Sequence, residues 1–179
     1  MRYISHNEQD TKKIGKKISA KLKGGEVLAL HGDLGAGKTV LAKGIAEGLG
    51  YKKIVNSPTF VLMKVYKINC STSAHTGKVN GVDVVHAADE KKFEIRNLKL
   101  EIKKNPMILK NICHIDTYRI SDAREIEDIG ALEFFGNPQT VSIVEWPEKI
   151  KKLLPQDTIW IELKYGKGEN EREIVIRGN

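Results

Sequence analysis

The sequence holds only two cysteines, Cys70 and Cys113, far apart and in no C-x-x-C pair. A disulfide framework and a zinc or thiol-redox motif are thereby excluded, and a reducing cytosol is the expected compartment. Nowhere do 18 apolar residues run together, and "MRYISHNEQDTKKIGKKIS" has no apolar core of a leader, so neither a membrane span nor secretion is expected. Internal repeats and low-complexity tracts are absent. His6, His31, His75 and His86 share no metal-ligand spacing, and no N-K-x-D guanine motif occurs, which tilts base preference toward adenine.

What is present is a chain of 179 residues, the size of one ordinary domain, able to bury about 70% of its unfolded surface. The formal charge is +7, carried mainly by lysine. Lys13, Lys17 and Lys21 fall at i, i+4, i+8 and form a basic stripe on a helix. That stripe reads equally as a solvated face or as a polyanion contact.

Periodicity lays out an α/β order. Residues 7–23 read as an amphipathic helix capped by Asn7, with Ile14, Ile18 and Leu22 on one face and Gly24-Gly25 as its stop. "EVLALHG" (26–32) suits a buried strand and runs into a glycine loop and a helix from Lys38 to about Leu49. "SPTFVLMKVY" (57–66), "NICHIDTYRI" (111–120) and "TVSIVEW" (140–146) read as further strands, the second ending near Asp116. Asp122 and Glu125 form a capping box for a short helix that ends by Gly130, and Pro147 opens a helix over "EKIKKLL". "TIWIELKY" and "REIVIR" form a C-terminal antiparallel hairpin. Residues 67–111 interrupt this pattern. Their turn signals at Thr76-Gly77 and Asn80-Gly81, and the alternation in "FEIRNLKLEI", predict a β-rich, hairpin-like insertion in a single domain.

Gly32-Asp33-Leu34-Gly35-Ala36-Gly37-Lys38-Thr39 matches G-x-x-x-x-G-K-[ST] between a strand and a helix. Backbone N–H groups of residues 33–39 turn onto phosphate oxygens, and the helix N-terminus adds partial positive charge. Lys38 reaches the β- and γ-phosphates, and the Thr39 hydroxyl is a Mg²⁺ ligand. Mg²⁺ beside phosphates needs one or two carboxylates. Asp116 and Glu145 each close an apolar run, where strand ends of a parallel sheet gather around a ligand. Each also reads as a turn acid or cap. Ser57 and Thr59 suit a γ-phosphate sensing loop, or a plain Pro-initiated turn. His114 shares a face with Asp116 and reads more readily as packed than as catalytic.

Taken together, "GDLGAGKT", "SPTF", "HIDTYRI", "EIEDIG" and "VEWPEKI" resemble the TsaE (YjeE) family of small P-loop ATPases, over nearly the whole chain outside the insertion. The resemblance implies a P-loop NTPase fold with a mostly parallel central sheet and flanking helices. It implies Mg²⁺ and ATP as cofactors, slow hydrolysis, and cytoplasmic work in making threonylcarbamoyladenosine on tRNA. The partner it implies is the TsaB–TsaD pair, which ATP turnover resets between rounds; tRNA is met through that complex, and direct contact of tRNA with this subunit is left open. By motif, Lys38, Asp116 and Glu145 are catalytic, Thr39, Asp116 and Glu145 surround the metal, and Thr59 is the switch hydroxyl. Trp146, Thr11 and Arg172 match positions near the nucleotide. The sequence departs from the family in its insertion, about 35 residues beyond the usual connection, and in Val40, which stands where a second threonine is common and is expected to face packing.

Two other readings fit the phosphate loop. One is a small-molecule kinase using the insertion as a lid, although such a lid usually brings several arginines and residues 67–111 hold only Arg96. The other is a binding switch in which ATP alters an interface without useful hydrolysis.

Overall fold

The computed structural model describes residues 1–68 and 109–177, together with two short strands at 78–79 and 82–83. By its contacts the chain divides into one unit of Met1–Asn69 with Met107–Asn179 and a second of Cys70–Pro106. The order of elements is β1 (Arg2–Ser5), α1 (Glu8–Ser19), β2 (Val27–Gly32), α2 (Lys38–Gly48), β3 (Met63–Lys67), β4 (Lys78–Val79), β5 (Val82–Asp83), β6 (Asn111–Asp116) and α3 (Arg124–Asp128). A 3-10 turn (Ala131–Phe134), β7 (Thr140–Glu145), a 3-10 segment (Pro147–Leu153), β8 (Ile159–Tyr165) and β9 (Arg172–Arg177) complete it.

Seven strands form one sheet in the order β1-β9-β8-β2-β7-β6-β3. Its centre, β8-β2-β7-β6, is parallel, while β9, β1 and β3 join antiparallel toward the edges. This is the expected α/β P-loop architecture with its C-terminal hairpin. β2 is central because Val27 to Leu30 are apolar on both faces and buried. Leu28 and Leu30 pack with Ile14, Ile18, Leu41 and Ile45 of the two long helices. Val27 joins Cys113, Ile115, Val144 and Ile150 on the other face.

The two helices lie almost backbone to backbone. A Cβ on Gly15 would stand 2.7 Å from the amide nitrogen of Ile45, and one on Gly44 would stand 2.7 Å from the Cα of Lys12. Only glycine permits so close an approach.

Several boundaries differ from the sequence expectation, each for a physical reason. Helix α1 starts as expected, with Asn7 Oδ1 accepting from the Asp10 amide at 2.8 Å, but it ends at Ser19. The Ala20 amide still bonds four residues back, but Lys21 and Leu22 bond three back, tightening the chain before Gly24. The strand expected over 57–66 begins only at Met63, because Val61 N–H closes a turn onto Pro58 O and Leu62 takes φ 61°. Residues 147–153 are 3-10 rather than α, broken at Ile150 with φ −117°. The capping box is half formed: the Glu125 carboxylate accepts from the amides of Ser121 and Asp122, whereas Asp122 serves Arg124. β1 was not expected, being four residues whose partner strand lies at the other end of the chain.

In the second unit β4 and β5 pair antiparallel, Lys78 with Asp83 and Val79 with Val82, around the Asn80-Gly81 signal. The rest of the insertion expectation, Arg96 included, lies outside the described residues. No helix among the described residues is long and apolar enough to cross a membrane.

Candidate nucleotide site

The site grows from the C-terminal ends of three adjacent strands. β2 delivers the chain into the glycine loop, and α2 starts at Lys38 from Gly37, which is left-handed at φ 99° and gives the helix no side-chain cap. Amides at that end are thus directed by backbone conformation alone, as an anion cradle requires.

Lys38 is 4% exposed. Its Nζ donates to the carbonyls of Gly32 and Asp33 at 2.7 and 2.8 Å, and lies 3.6 Å from the centre of the Trp146 ring. Burial pushes its pKa below the usual lysine value, against the pull of Glu145, Glu148, Asp116 and Asp33. The loop therefore holds its own lysine where a phosphate would otherwise hold it.

Asp116 and Glu145 are the last residues of β6 and β7 and are paired in register, so their carboxylates emerge side by side. Both are 2% exposed. Glu145 Oε2 accepts from the Thr39 hydroxyl at 2.9 Å, and Glu145 Oε1 meets His114 Nε2 at 2.8 Å. Asp116 Oδ2 accepts from the Ser57 hydroxyl at 3.1 Å and from the Thr59 hydroxyl, while Oδ1 accepts from the Tyr118 amide at 3.0 Å. The two motifs "SPTF" and "HIDTYRI" thus meet through one carboxylate.

Trp146 turns left-handed at φ 59°, a conformation that costs a bulky residue roughly 1–2 kcal/mol. Pro147 fixes the next φ, the Trp146 amide donates to Leu30 O at 3.2 Å, and Thr117 Oγ1 donates to Trp146 O. These contacts aim the indole at Lys38, with Tyr118 against it at 5.0 Å. A cavity of about 330 Å³ lies between, walled by Gly35, Gly37, Lys38, Thr39, Thr59, Asp116, Tyr118, Glu145 and Trp146. Leu34 and Val40 also line it, so Val40 faces the cavity rather than packing. A larger cleft, about 670 Å³ around His31, Lys151, Trp160 and Arg177, contains none of these groups.

Two expected site residues stand apart. Thr11 is buried, bonded to Ser5 Oγ at 2.8 Å and to Asn7 O, and is no part of the cavity wall. Arg172 braces the loop from outside: it donates to the carbonyls of Glu169 and Glu171, reaches Gly35 O at 3.5 Å, and stacks 4.4 Å over Tyr165. Tyr165 itself donates to Leu34 O at 2.6 Å. Nothing in the local sequence pattern marks Tyr165 or Tyr118 individually, and His114 reads from its strand as a packed residue. The i, i+2 spacing of His114 and Asp116 was the available signal for the latter.

The donor set fits a magnesium ion rather than a transition metal. It offers hard oxygens from one hydroxyl and two carboxylates, and no cluster of three or more His, Cys, Asp or Glu ligands occurs among the described residues. Such a site relies on water and phosphate oxygens for the remaining ligands.

Residues 5–104 and 99–174 match the family described as "Threonylcarbamoyl adenosine biosynthesis protein TsaE". The chain is 37% identical over 176 residues to the tRNA threonylcarbamoyladenosine biosynthesis protein TsaE of Bacillus subtilis, covering 98% of this chain and 84% of that one. It is 30% identical over 177 residues to the protein of the same description from Treponema pallidum, covering 98% and 99%. The crystal structure of Bacillus subtilis YdiB superposes with a TM-score of 0.63 at 30% identity, covering 99% of this chain and 84% of that one.

Proposed function

The chain belongs to the TsaE family, whose role lies in threonylcarbamoyladenosine biosynthesis on tRNA, and from that premise we propose that it is a Mg²⁺-dependent ATPase that binds the TsaB–TsaD pair and resets it between rounds. The observation that carries this reading is the pairing of Asp116 with Glu145 at the ends of adjacent parallel strands, with the Thr39 hydroxyl on one carboxylate and Lys38 in the same cavity wall.

Each residue has a step that its position supports. Amides of the glycine loop receive the phosphates, and Lys38 exchanges the carbonyls of Gly32 and Asp33 for phosphate oxygens. The Thr39 hydroxyl, which donates to Glu145 Oε2, would with the neighbouring carboxylates hold the metal, and its departure leaves that oxygen free. Glu145, held by His114, then orients water and takes its proton as the water oxygen bonds to the terminal phosphorus and the phosphorus–oxygen bond to the departing ADP breaks. Asp116 holds Ser57 and Thr59 and so reports what lies beside the terminal phosphate. Thr39, Asp116 and Glu145, which share the cavity wall, would surround Mg²⁺ and its water, and the ion would neutralise charge on the phosphate oxygens.

ATP hydrolysis by the purified protein, alone and with TsaB–TsaD, tests this, with repeated tRNA modification scored in the same tubes. Stimulation by the pair, and multiple rounds that require Lys38, are expected. No effect of the pair on either readout removes the coupled-ATPase reading.

A further inference from the structure

Along α1 and α2 lies a further cleft, about 530 Å³, that shares no wall residue with the nucleotide cavity. Lys12 and Lys16 enter it from α1, Lys43 from α2, and Lys52 and Lys53 from the segment that follows, with Tyr51 in the wall. The one acid there, Glu47, pairs with Lys16 at 2.9 Å. Lys12, Lys43, Lys52 and Lys53 have no ion pair among the described residues.

Folding alone does not call for this arrangement. The glycine-lined contact of α1 with α2 brings the Lys12 backbone against Gly44, next to Lys43. Lys12 and Lys16 also stand at i, i+4, where like charges destabilise a helix. Five cations gathered around one acid raise the free energy of the empty protein, and an anion lowers it again.

We propose that this cleft binds the phosphate backbone of RNA. Lysines act as point charges, unlike the planar fork of arginine that grips a single phosphate, so five of them spread over two helices and a loop suit a line of phosphates. Lys12 and Lys16 are separated by about 6 Å along the helix axis, which a polymer charged at every nucleotide can follow. Tyr51, packed on Tyr66 at 4.9 Å, offers a fixed aromatic wall for an unpaired base, which favours RNA over an acidic peptide. The family's work on tRNA supplies the polymer. Nothing in the assignment depends on ATP hydrolysis, so its test is run without nucleotide or partner.

The experiment is fluorescence anisotropy with a labelled, unmodified tRNA transcript over roughly 50 to 200 mM salt. Five lysine contacts predict a slope of log affinity against log salt of roughly −3.5 to −4.5. Lys52→Glu/Lys53→Glu should weaken binding at least tenfold and flatten the slope by about 2. Lys164→Glu/Lys167→Glu, the same charge change on the C-terminal hairpin, should leave the slope unchanged. Equal losses in both variants, or no measurable tRNA binding by the unaltered protein, overturn the proposal. Polyglutamate of matched charge should compete poorly. If it displaces the transcript as well as unlabelled tRNA does, the occupant is an acidic protein and the RNA assignment falls.

Discussion

His114 and Glu145 share a hydrogen bond of 2.8 Å between two side chains that are 1% and 3% exposed. Since Glu145 Oε2 is taken by Thr39, both oxygens of this carboxylate have fixed partners. His114 Nδ1 has no partner among the described residues, so among them the histidine's one polar side-chain contact is the one that orients Glu145.

Removing that contact should lower turnover while sparing nucleotide affinity. His114→Ala is expected to reduce kcat roughly 10- to 100-fold, as loss of an outer partner of a catalytic group typically does. His114→Gln, which can place a donor near the position of Nε2, should recover more of the rate than His114→Asn. Single-turnover hydrolysis alongside nucleotide Kd separates the effects, and equal rates for the Gln and Asn variants would deny His114 a positioning role.

The hairpin grips the phosphate loop through Tyr165, whose hydroxyl donates to Leu34 O at 2.6 Å. Tyr165→Phe keeps the ring under Arg172 and deletes only this bond. A net loss of about 1 kcal/mol in loop preorganisation corresponds to roughly fivefold weaker ATP binding. Titration with a fluorescent ATP analogue reads it directly.

Gly44→Ala sets two effects against each other. Helix propensity favours alanine by about 1 kcal/mol. Against this, the new methyl would sit 2.7 Å from the Lys12 Cα and 2.9 Å from its carbonyl carbon, and forced overpacking costs about 1–3 kcal/mol. Because backbone cannot rotate away as a side chain can, the clash should win, lowering the urea midpoint. A midpoint at or above that of the unaltered protein would mean that the helices separate freely.

Cys113 is fully buried, and desolvation pushes its thiol pKa up to about 12. N-ethylmaleimide should therefore reach it only on unfolding, as peptide mapping with and without urea would reveal. The folded state keeps this proton where the unfolded chain, with a pKa near 9, has released it. Stability should accordingly fall as pH rises from about 9 toward 12, and Cys113→Ala should remove that part of the slope.

Much of the fold was legible because local rules suffice for it. The apolar run before Gly32, the glycine pattern and the Asn7 cap each act within a few residues. β1 was illegible because its only warrant is pairing with β9 at the opposite end of the chain. The late start of β3 had a similar cause: "SPTFVL" has strand-forming residues, but Ser57 and Thr59 are drawn instead to Asp116. At the site, the phosphate loop and both strand-end acids could be read from spacing, whereas the loop's hold by Tyr165 and Arg172 could not.

Neighbouring residue types are enough to set a phosphate loop between a buried strand and a helix, and two carboxylates ending apolar strands, since backbone conformation and burial follow from local pattern. Tertiary structure alone decided that Asp116 stands beside Glu145, that His114 and Thr39 share Glu145, and that lysines from α1, α2 and the following loop face one cleft. Those relationships depend on strand order and on how closely two helices approach, which are fixed only when distant segments compete for the same buried space.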